Sequence, residues 1–512
     1  MSLHRYAIRR GCQLVGASFA LLCLVTAAWG AEPWTFRVKF TDAVRAEPFT
    51  GRVYVLLSRR APQPRTGPEW FHTEPFLARD VVDLQPGEAC ALSPSAAGVL
   101  TFPRDFDGTR LGGCRAQAVV RFNPWERKLG TGPGNGFSNV LMLDGQPGEV
   151  ALEIDQTHPD RPFQETEWTK LLSVRSTLLS DFHGHDVFLH AAVVLPRSYA
   201  TQPERRYPTI YTIPGFGGTH FSERRNQPVE ENNPGGVEFL RVMLDPSCPL
   251  GHHVFADSAN NGPAGQALIT ELIPEFDRRF RSVAEPGARF LTGHSSGGWS
   301  SLWLQVAYPD VFGGVWSTSP DPVDFRDFQR INLYRAGENM YVDPDGERRP
   351  LARAGGQVLI WYDDFAWMEH VAGPGGQLHS FEAVFSPRGA DGKPRLIWNR
   401  ETGAVDTEVT QAWEKYDIRL VLERNWPELG PKLAGKLHVF MGDQDTFYLE
   451  GATVLLKESL AKLGSDAVVE VHAGKDHGSL LSRELLARIR TEMAESFLTT
   501  YPEGALTGAH SR

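Results

Sequence analysis

The hydrophobic period changes part-way along this chain, and that change limits its architecture more than any other feature. From Trp34 to Ile154 the apolar residues alternate: Trp34, Phe36, Val38, Phe40; Val53, Val55, Leu57; Ala118, Val120, Phe122; Val150, Leu152, Ile154. Successive side chains on a strand point to opposite faces, so a period of two predicts half-buried strands. Pro and Gly clusters such as Thr131-Gly132-Pro133-Gly134-Asn135-Gly136 separate them. The pattern predicts a β-sandwich-like N-terminal domain over residues 31–160. Gly132, Gly134 and Gly136 do not lie between a strand and a helix, so that cluster reads as a turn, not a nucleotide loop. The polar stretch from Thr157 to Lys170 reads as a linker, centred on 161–170. From 171 to 506 strands alternate with amphipathic helices, which predicts an α/β domain with a mostly parallel sheet covered on both faces. Leu268, Ile269, Leu272, Ile273, Phe276 and Phe280 give Ala264–Arg281 a helical period, with a kink at Pro274. The last helix is expected over Leu480–Leu498.

With 512 residues, 41% of them hydrophobic, the chain has enough apolar surface for two or three folded units. Its formal charge is −10, and the first thirty residues carry only Arg5, Arg9 and Arg10, so the remainder is more acidic still. Such a surface repels phosphate backbones and argues against nucleic acid as a partner. Arg5, Arg9 and Arg10 precede an apolar stretch from Leu14 to Trp29 that closes with Ala28-Trp29-Gly30. This is the layout of a removable signal peptide over residues 1–30, so export to a periplasmic or extracellular space is expected, with no membrane span afterwards. Cys90, Cys114 and Cys248 remain, and in an oxidising compartment Cys90 and Cys114 are candidates for one bridge. None has metal-finger spacing, and no metal or cofactor is expected.

The strongest chemical signal lies in ARFLTGHSSGGWSSLWLQVAYP, Ala288 to Pro309. A β-run ending at Thr292 meets Gly293-His294-Ser295-Ser296-Gly297 and then a helix buried through Trp299, Leu302, Trp303 and Val306. A strand that turns this sharply into a helix presents the central serine, Ser295, at the strand's end, and Gly293 and Gly297 let the two backbones pass. A serine hydroxyl is nearly inert at neutral pH and needs a base, which in turn needs a group to fix its tautomer. In LHVFMGDQDTFYLEGA the run Leu437–Met441 ends at Gly442-Asp443-Gln444-Asp445, and in VVEVHAGKDHGSLL a second run precedes His477. The order Ser295, Asp445, His477 is that of an α/β-hydrolase, with Asp443 as the fallback acid. In TIYTIPGFGGTH the strand Ile210–Ile213 runs into Gly215-Phe216-Gly217-Gly218. The amides of Phe216 and Ser296 are therefore the candidate oxyanion hole.

HAAVVLPRSYATQPERRYPTIYTIPGFGG, TELIPEFDRRFR and GHSSGGWSS together resemble the α/β-hydrolase esterase family that includes esterase D, enterochelin, feruloyl and acetylxylan esterases and the antigen 85 type mycolyltransferases. The resemblance spans Leu171 to Leu498. It implies cofactor-free hydrolysis of an ester, small or glycan-linked, with Ser295 as nucleophile, Asp445 as acid, His477 as base, and Phe216 and Ser296 as the oxyanion hole. The enterochelin esterases, which also carry an N-terminal β-domain, match the layout most closely. An acyltransferase using an alcohol or sugar acceptor shares the acylation half-reaction, and a silent hydrolase-fold binding protein would need none of the three residues.

One departure stands out. Between the strand at Val315–Ser317 and that at Leu437 lie roughly 110 residues, far above an ordinary connection. This insertion, about 320–431, is placed to act as a lid, and Trp361, Tyr362, Phe365, Trp367, Phe381, Phe385, Trp398 and Trp413 read first as its own core. Asp343-Pro344-Asp345-Gly346 reads as a hairpin turn, and His183-Gly184-His185 and His252-His253 as turn and strand residues. Trp299 shares a helical face with Trp303 and reads as core.

Overall fold

The computed structural model describes residues 33–223, 225, 227 and 232–502, so the expected leader over 1–30 lies outside the described residues. The strands before residue 158 form one continuous nine-stranded sheet, not the two separate sheets of a sandwich. Its order is Cys90–Leu92, Thr35–Phe40, Glu149–Thr157, Gly136–Ser138, Arg115–Val120, Phe49–Ser58, Phe76–Leu84 and Val99–Phe102, with Leu141–Met142 also paired to Arg115–Val120. The sheet wraps one core made from a single set of alternate residues, including Phe36, Val38, Val53, Val55, Leu77, Ala118 and Ile154.

The opposite face of the same strands explains where the alternation fails. Val53 to Ser58 is buried without a break. Tyr54, Leu56, Phe76, Ala78 and Val119 point away from the first core and join the apolar cluster of the second domain. A sheet covered on both faces has no polar face left to alternate.

Cys90 and Cys114 belong to the first core as free, buried thiols, so the expected bridge is not formed. There they pack as small apolar side chains, and burial pushes the Cys90 thiol up to about 11.

After the strandless stretch 158–168 the chain builds an eight-stranded mixed sheet. Its order is Thr169–Ser176, Val187–Val194, Leu240–Leu244, Thr209–Ile213, Arg289–His294, Gly314–Thr318, Leu437–Gly442 and Val468–His472. The first two pairings are antiparallel. All the others are parallel, which brings every strand end from Ile213 to His472 to one edge. Ile210, Phe290, Trp316 and Phe440 face Leu485, Ile489, Met493 and Phe497 of the last helix, Arg483–Thr500. Tyr211, Leu291, Val315 and Val439 face the opposite layer, with Trp299 and Leu302 of the helix Ser296–Ala307. Each such side chain contributes roughly 1.5 to 3 kcal/mol on burial, so the two helix layers fix the sheet between them.

The helical run from Ala264 ends at Arg279, and a π-turn over Leu268–Leu272 lets Pro274 enter the next turn without breaking it. The insertion carries the hairpin Pro350–Trp361 and the helices Tyr362–Ala372, Gln377–Phe385, Thr407–Trp413 and Ile418–Leu433. Tyr362, Phe365, Phe381, Phe385, Trp398 and Trp413 are buried in the shared core. No helix among the described residues is long and apolar enough to cross a membrane.

The first domain is joined to this insertion by specific hydrogen bonds. The last carbonyls of the helix Tyr362–Ala372 have no intrahelical donors. Arg52 Nη1 donates to His370 O at 2.6 Å and Val371 O at 2.9 Å, and Tyr54 Oη donates to Ala372 O at 2.7 Å. The positive guanidinium also complements the negative end of the helix dipole. Trp367 Nε1 returns a bond to Thr101 O at 2.8 Å.

Candidate active site

The strand Arg289–His294 delivers Ser295 to the parallel edge with φ 61° and ψ −126°. A non-glycine residue held there stores on the order of 1 to 3 kcal/mol of backbone strain, which the packed strand and helix must hold. Close approach explains both glycines. A Cβ on Gly293 would fall against Gly297 O, and one on Gly297 against Ile213 O. Ser295 N–H donates to Thr318 O at 3.1 Å, tying the turn to the next strand. The serine is half-buried.

Two strands further along the edge, the loop after Leu437–Gly442 carries Asp443 and Asp445, and the loop after Val468–His472 carries His477. The fully buried Asp445 accepts a hydrogen bond from His477 Nδ1 at 2.7 Å through Oδ2, and from Phe447 N–H at 2.8 Å through Oδ1. That leaves Nε2 as the free ring nitrogen. Asp443 instead accepts from Gly474 N–H at 2.7 Å and so shapes the histidine loop without touching the imidazole. The His477 ring lies 4.5 Å from that of His294, the residue before the serine. Burial, with a lesser contribution from His477, pushes His294 down to about 4, so it stays neutral beside His477.

The loop after Thr209–Ile213 passes directly over the elbow. A Cβ on Gly215 would sit 3.3 Å from Ser295 Cβ and 3.9 Å from its Oγ. Phe216 N–H meets no acceptor among the described residues. Ser296 N–H opens a helix, where amides have no intrahelical partner. His252 braces this loop: its Nε2 donates to Pro214 O at 3.2 Å while Nδ1 accepts from Val254 N–H at 3.0 Å. Burial pushes His252 down to about 3, consistent with that neutral tautomer.

Several residues at the site escaped the sequence reading. Asp321 lies three residues past the strand Gly314–Thr318, wholly buried beneath the elbow. It accepts from Ser296 Oγ at 2.6 Å and Gln377 Nε2 at 3.3 Å. Burial pushes its carboxyl up to about 6, against the opposing effect of the Ser296 hydrogen bond. A carboxylate at a strand's C-terminal edge was the available signal. Trp70, Phe71 and Arg127, from loops of the first domain, gave none. Trp70 stacks on Phe216 with ring centroids 5.8 Å apart and meets Phe447 edge-on at 6.1 Å. Phe447 in turn stands edge-on to His477 at 5.0 Å. The insertion adds Phe365, 5.2 Å from Trp70.

Residues 241–486, which hold the serine, both acids and the histidine, match the family model described as "Putative esterase". This stretch belongs to that esterase family. The protein is accordingly a carboxylic ester hydrolase, as the resemblance implied. A ferulic acid esterase is 14% identical, covers 64% of this chain and 99% of its own, and superposes with a TM-score of 0.39. An S-formylglutathione hydrolase from Agrobacterium tumefaciens is 14% identical, with coverages of 64% and 95% and a TM-score of 0.38. A dipeptidyl peptidase 4 from Porphyromonas gingivalis is 11% identical, with coverages of 65% and 35% and a TM-score of 0.34. No curated protein matches the chain.

Proposed function

We propose that this esterase is an exported serine hydrolase of the α/β-hydrolase fold that works through an acyl-enzyme. His477 Nε2 takes the proton of Ser295 Oγ, and the oxygen attacks the ester carbonyl. The carbonyl oxygen becomes an oxyanion, held by the amides of Phe216 and Ser296, each worth about 3 to 4 kcal/mol in the transition state. The C–O bond to the alcohol breaks as His477 returns the proton to the leaving oxygen. Water then loses its proton to the same imidazole, attacks the acyl-serine, and releases the acid and the free serine. Asp445 holds the imidazole in the tautomer this sequence needs.

The observation that carries the reading is the Asp445–His477 hydrogen bond at the edge where the strained Ser295 turn also ends. Export rests on the sequence alone, through Arg5, Arg9, Arg10 and the apolar stretch that follows. The test is a panel of aryl and alkyl esters against wild type and Ser295→Ala, where turnover is expected to fall on the order of a million-fold. Retained activity in the variant would place the nucleophile elsewhere.

A further inference from the structure

The first domain does more than pack against the second, because two of its loops reach the reaction centre. Trp70 covers the ring of Phe216, the residue whose amide is proposed to bind the oxyanion. Phe71 stacks on Phe447 at 6.2 Å, and Phe447 touches His477. Together these rings form one apolar wall from the oxyanion loop to the base.

Arg127 lies at the edge of that wall. Its guanidinium carbon sits 4.3 Å from the centre of the Phe216 ring, and a Cβ on Gly217 would lie 3.1 Å from its Nη2. The side chain is only half-buried. Two of its charged neighbours are committed elsewhere, and the adjacent Glu126 acts on it only at a distance. Asp245 is taken by His220 Nδ1 at 2.5 Å and by Ser247 Oγ at 2.5 Å, while Arg121 donates to Pro374 O at 2.6 Å. Among the described residues no carboxylate lies within ion-pair reach of Arg127, whereas Arg52, Arg353 and Arg400 each pair with one. A guanidinium held over an aromatic face keeps its in-plane N–H donors free, and five donors in a fixed fork suit the oxygens of an anion.

We infer that the first domain completes the substrate site, with Trp70 walling the reacting ester and Arg127 binding an anionic oxygen group, such as a carboxylate, carried by that ester. The inference rests on the serine-hydrolase reading above. The first domain thereby selects among esters that the second domain alone would cleave alike.

The test uses the whole protein and two matched substrate pairs. One pair differs on the acyl side: 4-nitrophenyl hydrogen glutarate against its methyl ester. The other differs on the alcohol side: 4-acetoxybenzoate against 4-acetoxybenzamide. The readout is the ratio of kcat/KM, anionic over neutral, within each pair. Wild type is expected to show a ratio well above one in one pair, which identifies the side that faces Arg127. Arg127→Gln is expected to lower that ratio about 10- to 100-fold, as for a lost hydrogen bond between charged groups, and Arg127→Lys to restore part of it. A wild-type ratio at or below one in both pairs would overturn the inference. So would an unchanged ratio in Arg127→Gln, since an arginine that merely clamps Phe216 would affect both esters equally. Failure of the wild type on all four esters would instead overturn the hydrolase reading on which the inference stands.

Discussion

The two walls of the site are built in opposite ways. On the second domain, Ser295 stands directly after a parallel strand, and Asp445 and His477 lie three and five residues past the ends of two more, in short loops anchored by the ladder behind them. On the first domain, Trp70 and Arg127 sit in loops between strands and reach across a domain junction. Strand ends hold position to a fraction of an ångström, which bond-making requires, whereas loops can change residue without disturbing a sheet. On the proposed reading, chemistry belongs to one domain and selection to the other.

The largest effect is expected at the acid. Asp445→Asn is expected to lower kcat about 10⁴-fold, because the amide cannot hold His477 in the tautomer that leaves Nε2 able to accept. Asp443→Asn is expected to stay within about tenfold, since that carboxylate only receives the Gly474 amide. Steady-state kinetics on one ester would check both. Equal losses would mean that the histidine loop, and not the charge relation with His477, limits the reaction.

Much of the chemical wall was legible in the sequence, for a physical reason. A strand, a tight glycine turn and a helix are local features, so GHSSG between an apolar run and an amphipathic helix announces its own geometry. Asp445 and His477 stand out because each follows another apolar run, and parallel strands deliver their ends to one edge. The selecting wall was not legible. Nothing near Trp70 in PEWFHT or near Arg127 in NPWERK says which domain they will face, because that depends on how two sheets dock. Docking also erased the alternation of Val53–Ser58, whose second face is buried by the insertion. Asp321 fell between these cases: its place after a strand could be read, but not its burial under Ser296.

A smaller effect is expected at Asp321. Asp321 has its carboxyl raised from 3.8 to about 6 by burial, so the folded state holds a proton that the unfolded state has lost. Its stabilising contribution is complete below about pH 4 and is lost as pH rises through 6, on the order of 2 to 3 kcal/mol in all. Asp321→Asn, which removes this titration while keeping an acceptor for Ser296 Oγ, is expected to flatten the fall in stability between pH 4 and 6. Urea melts of wild type and variant across that range would reveal it. Identical pH slopes would show that Asp321 stays ionised under the elbow.

The proposed chemistry rests on one serine, activated by a histidine three strands away on the same sheet edge. Its most direct test is to treat the protein with an aryl fluorophosphonate and map the adduct by peptide mass spectrometry. The account predicts a single phosphonylated residue, Ser295, labelled at least about 100-fold more slowly in His477→Ala, since general-base assistance is worth that much. An adduct on any other residue, or labelling of Ser295 at an undiminished rate without His477, would contradict it.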